Sequence, residues 1–78
     1  MKKSKKESRK KTINHFLDKA KYYNNAGQYK KAIANINLAY SIWEGYKKET
    51  SKTIKILRKI VDAKDIVAQN YTANLFNF

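Results

Sequence analysis

The sequence contains no cysteine and no proline, only two glycines, one histidine and six acidic residues among its 78 positions. Without cysteine there is no disulfide to staple a small core, and a zinc site lacks its ligands. Gly27 and Gly45 stand far apart, which excludes a phosphate-binding or dinucleotide-binding glycine loop. Six carboxylates, one imidazole and no thiol supply little for general acid–base or nucleophilic chemistry. We therefore expect no catalytic residue, no metal and no cofactor, and a binding protein rather than an enzyme.

No stretch approaches the ~20 consecutive apolar residues of a membrane helix, so no membrane span is expected. The start, Met1 to Lys11, is basic like the first part of a signal peptide. It is followed by Thr12–Ala20, which contains His15, Asp18 and Lys19 and is not an apolar segment. The absence of cysteine fits a reducing compartment, and the cytoplasm is the expected location. The triplet Asn70-Tyr71-Thr72 matches a glycosylation acceptor, but without a secretory signal it reads as ordinary polar surface.

What the sequence does have is lysine. Eighteen Lys and Arg against six Asp and Glu give a formal net charge of +12. The first eleven residues hold seven of these cations (Lys2, Lys3, Lys5, Lys6, Arg9, Lys10 and Lys11) and one acid, Glu7. No apolar residue follows Met1 there, so residues 1–11 are expected to form a mobile basic arm ahead of a single helical domain at 12–78. Seventy-eight residues allow one domain, with a core small enough to demand tight helix packing or an oligomer.

From Thr12 the pattern turns helical. Ile13, Phe16, Leu17, Ala20 and Tyr23 lie on one face of a 3.6-residue period. Asn24-Asn25-Ala26-Gly27 ends that helix, with Gly27 just past it. Tyr29, Ala32, Ile33, Ile36, Ala39, Tyr40 and Trp43 form the stripe of a second helix, widened by Leu38 and Ile42. So broad an apolar surface predicts a middle helix touching two neighbours. After a polar stretch containing Gly45, Thr50 or Ser51 can cap a third helix. There Ile54, Leu57, Val61, Ala68, Tyr71 and Leu75 recur near intervals of three and four, with Ile60 and Val67 beside them.

The pattern predicts an all-α three-helix bundle: a helical hairpin at about 12–47, closed by a third amphipathic helix at about 51–73. Phe16, Leu17, Ala20, Tyr23, Ala32, Ile36, Ala39, Trp43, Leu57, Val61 and Val67 are the expected core. Because a glycine inside a helix costs only about 1 kcal/mol, a second arrangement stays open, in which the second and third patterns form one long helix.

Ala20, Gly27, Tyr29, Ala32 and Ala39 carry small and aromatic residues where two antiparallel helices joined by a tight turn need them. This stretch resembles a single tetratricopeptide-type hairpin, whose fingerprint includes Gly-x-Tyr-x-x-Ala. A lone hairpin closed by a third helix is similar to the microtubule-interacting-and-trafficking domain, with a weaker echo at Val61-Asp62-Ala63-Lys64. That resemblance implies docking of a short amphipathic peptide in a groove beside the third helix. The chain departs from both patterns: the proline that often ends a tetratricopeptide repeat is missing, and the connection into the third helix is short.

Two functional surfaces follow. Lys48, Lys52, Lys55 and Lys59 fall at steps of four, three and four, with Arg58 beside them. Together with the arm they form the expected nucleic-acid-binding or polyanion-binding set, gripping phosphates with little sequence readout. The second surface is the apolar end, Tyr71, Leu75, Phe76 and Phe78, which can cap the bundle or take a protein partner or a second copy. Attachment to anionic lipid is less favoured, because no bulky apolar face accompanies the lysines. His15 stands alone and reads as surface, Asp62 and Asp65 as partners in helix-surface ion pairs with Arg58, Lys59 or Lys64.

Overall fold

The computed structural model describes the backbone of residues 5–46 and 50–76, and the side chains of residues 8–46 and 50–75. Three helices follow in order: α1 (Lys5–Asn25), α2 (Tyr29–Glu44) and α3 (Ser51–Phe76). The all-α three-helix architecture is as expected.

Helix α1 starts at Lys5, well before Thr12. Lysine, arginine and glutamate are good helix formers, and no proline or glycine interrupts them. Residues 5–11 therefore extend α1, and the expected boundary between arm and domain at residue 11 does not coincide with a change in backbone structure. The helix ends in a Schellman motif. Gly27 adopts φ +77°, its N–H donates to the carbonyl of Asn24 (3.1 Å), and the N–H of Gln28 donates to that of Tyr23 (2.8 Å). Gln28 then opens α2, its carbonyl accepting from the N–H of Ala32 at 3.1 Å.

Helix α2 stops at Glu44, and the chain has reversed by the start of α3. The indole Nε1 of Trp43 donates to the carbonyl of Thr53 at 2.8 Å. In one continuous helix those residues would stand about 15 Å apart along the axis, so the long-helix arrangement is excluded. Thr50 is the N-cap of α3. The N–H of Thr53 donates to Thr50 Oγ1 (3.3 Å), and the N–H of Thr50 donates to Thr53 Oγ1 (2.7 Å). This is a capping box with threonine in place of the usual Glu or Gln.

The buried apolar residues are Ile13, Ala20, Ala32, Ile36, Ala39, Ile60 and Val67. Phe16, Leu17, Tyr23 and Trp43 are half-buried against them, and Leu57 is half-buried as well. Two expected core residues are not in this cluster: Leu57 stands outside it, and Val61 is 46% exposed, its neighbour Ile60, at 2%, taking its place. Helix α3 turns inward the face carrying Thr53, Ile56, Ile60, Ala63 and Val67, about 100° from the stripe that hydrophobicity alone selects. Thr53 can occupy that face because its polar groups are satisfied by Thr50 and Trp43. Asn35, also buried, bonds through Nδ2 to the carbonyl of Lys31 at 2.8 Å.

Helix α2 packs most extensively on α1, less on α3, and α1 meets α3 sparsely. Helix α2 is thus the middle helix, antiparallel to both neighbours, and α1 and α3 run parallel. Their far ends are tied by Asn70 Nδ2, which donates to Asn24 Oδ1 at 3.0 Å. Tyr29, at the start of α2, lies 6.0 Å ring to ring from Tyr71 of α3.

Candidate nucleic-acid interface

The parallel course of α1 and α3 sets their N-terminal turns at one end of the bundle, where α2 finishes. Arg9 marks the junction. It is half-buried, and its guanidinium lies 5.6 Å from the centre of the Tyr46 ring, just past α2. That contact holds the first turns of α1 against the α2 C-terminus. Lys10 and Lys11 are exposed on the next positions, and Lys5 and Lys6 precede them on the helix.

On α3, Lys52, Lys55 and Lys59 are all exposed and fall at steps of three and four on one flank of the helix. Arg58 is exposed too, but it projects from a different face, between Ile54 and Val61. The two basic clusters, more than forty positions apart in sequence, meet at one end of the fold. Residues 1–11 carry a net +6 and residues 44–59 a net +4, ten of the twelve net charges. Lys2, Lys3 and Lys48, and the side chains of Lys5 and Lys6, lie outside the described residues.

Below this end, a groove of about 480 Å³ lies between α1 and α3. Its walls include Asn14, Leu17, Asp18 and Lys21 from α1, and Lys59, Asp62 and Ile66 from α3. It holds both signs of charge, and Leu17, Ala20, Ala63, Ile66 and Val67 give it apolar lining. Asp62 and Asp65, expected to pair with Arg58, Lys59 or Lys64, make no ion pair within 4.0 Å among the described residues.

The chain matches no family model, no curated protein and no solved structure.

Of the apolar end, Tyr71 is half-buried against Tyr29, and Leu75 is 48% exposed. The side chain of Phe76, and Phe78 entirely, lie outside the described residues. No helix among the described residues is long and apolar enough to cross a membrane. Tyr22, adjacent to Tyr23, points away from the core at 69% exposure, as two consecutive tyrosines on a helix require. His15 is exposed, edge-on to Phe16.

The convergence of Arg9 and Lys10 with Lys52 and Lys55 is what sequence reading missed. Each cluster is visible alone. Their meeting depends on the parallel orientation of α1 and α3, which follows from the turn at Gly27 and the reversal before Thr50.

Proposed function

We propose that this protein binds nucleic acid, without catalysis and without a cofactor, by gripping phosphates at the basic end of its bundle. What supports the reading is the meeting of two lysine-rich segments at the N-terminal turns of α1 and α3, with ten net positive charges between those segments. Lys10, Lys11, Lys52, Lys55 and Lys59 offer their ammonium groups to solvent, free to follow a phosphate backbone. Point charges on flexible stems position a strand without reading bases. The dipoles of two helix N-termini add to the positive potential there, against one opposing C-terminus. A cytoplasmic setting goes with this reading.

The test is fluorescence anisotropy of labelled single-stranded and duplex oligonucleotides across a salt series. It uses the full chain and a variant lacking residues 1–11. Binding should weaken steeply with salt, with a slope of about −0.9 in log K per log salt for each duplex phosphate neutralised. Deletion should make the slope shallower. No binding at low salt overturns the reading.

The groove between α1 and α3 favours a second reading, an adaptor that takes a partner helix beside α3, in line with the resemblance to tetratricopeptide and microtubule-interacting-and-trafficking hairpins. Apolar docking changes little with salt, so the same titration separates the two.

A further inference from the structure

Helix α3 carries two apolar faces, and the bundle uses only one. The unused face repeats every seven residues: Ile54, Val61, Ala68 and Leu75, with Arg58 and Asp65 interleaved at steps of four and three. All six are exposed, the three large ones at 40, 46 and 48%. One apolar residue per seven supplies one of the two positions of a helix-pairing seam, and Arg58, Asp65 and Thr72 occupy the other. We propose that this face docks α3 of a second copy of the chain, antiparallel, about a two-fold axis between Val61 and Asp62.

Charge selects both the occupant and its direction. Arg58 and Asp65 lie on either side of the proposed axis. In an antiparallel pair each Arg58 comes beside Asp65 of the other copy, twice over by symmetry. In a parallel pair Arg58 would face Arg58 and Asp65 would face Asp65. Parallel pairing would also bring the two strongly basic ends together, whereas the antiparallel pair sends them to opposite extremes. The thin core adds a reason to associate. Three of its seven buried apolar residues are alanines, and a chain of this size gains stability by burying surface against a second copy. The proposal is independent of nucleic-acid binding.

Sedimentation equilibrium of the nucleic-acid-free full chain, over roughly 5 to 500 µM, tests it in the range of a small interface. The mass should rise from 9.1 kDa toward twice that value. It should rise at lower concentration in about 0.5 M salt than in 0.05 M, because salt screens the repulsion between two +12 chains. Val61→Glu adds a charge at a site already 46% exposed in the monomer, so the fold tolerates it, as circular dichroism would verify. It should lower the association constant by at least about tenfold, because it sets a charge in the seam. Ile66→Glu, on the flank facing the groove, should leave association unchanged. Arg58→Asp alone should weaken association, and Arg58→Asp combined with Asp65→Arg should restore it. A mass of 9.1 kDa at every concentration and salt overturns the proposal and leaves the face to a helix of a different protein. A Val61→Glu chain that associates like the parent also overturns it, and an Arg58→Asp chain that associates unchanged overturns the antiparallel arrangement.

Discussion

The indole N–H of Trp43, on the last turn of α2, donates to the backbone carbonyl of Thr53, on the first turn of α3, at 2.8 Å. The bond spans the reversal between the helices. It ties the start of α3 to the end of α2. Tyr40 stacks on a face of the indole, ring centres 5.7 Å apart. Trp43→Phe keeps the stack and loses the donor. Its expected cost is about 1–2 kcal/mol, the scale of one part-buried hydrogen bond and the smaller ring volume. Urea unfolding followed by circular dichroism checks this, since Trp43 is the only tryptophan and its fluorescence disappears with it.

Thr50→Ala removes the hydroxyl that accepts from the N–H of Thr53. The helix loses its cap, and the expected cost is about 1 kcal/mol. Thr50→Asp keeps an acceptor at the same position and should be close to neutral. Equality of the alanine and aspartate variants in thermal unfolding would remove the capping role.

At Gly27 the constraint is backbone conformation alone. Its φ is +77°, and an added Cβ would meet nothing within 4 Å. Gly27→Ala should therefore destabilise by about 1 kcal/mol through strain, and Gly27→Asn by less, because asparagine tolerates the left-handed region. Thermal melts of the two variants give the comparison.

The order and number of the helices, and their ends other than the start of α1, were legible because helical period, the Asn24–Gly27 punctuation and a threonine cap are local signals. The inward face of α3 was not. Ile54, Leu57 and Val61 are more apolar as a set than Thr53, Ile56 and Ile60, so composition favours the wrong stripe by about 100°. The buried face is set by packing on α1 and α2, which no window of α3 contains. The start of α1 was hidden for the opposite reason: charge argues against burial but not against helix. The basic end was legible only as two separate runs of lysine, because a meeting of segments more than forty positions apart is a property of topology.

That meeting has a measurable consequence. Replacing Lys52, Lys55 and Lys59 by glutamine should reduce the salt slope of duplex binding by up to about three, near one for each phosphate left without its lysine. Replacing Lys30 and Lys31, which sit at the start of α2 and so at the opposite end, should leave the slope unchanged. Equal effects from the two sets would mean that net charge alone, and not its placement, drives association.

The orientation of α3 can be tested by truncating two adjacent residues. Ile60 is 2% exposed and packs in the core, whereas Val61 is 46% exposed. Ile60→Ala removes three buried carbons and leaves a cavity, with an expected cost of about 2–4 kcal/mol. Val61→Ala removes two carbons that already meet water and should cost well under about 1 kcal/mol in the monomer. A chain with so small a core has little stability in reserve, so Ile60→Ala should be largely unfolded at 37 °C while Val61→Ala still melts cooperatively. The reverse ranking in urea unfolding, at concentrations low enough to keep the chain monomeric, would rotate α3 by one residue and return Val61 to the core. It would also remove the exposed seven-residue repeat, since Ile54, Val61, Ala68 and Leu75 share one face and can be exposed only together.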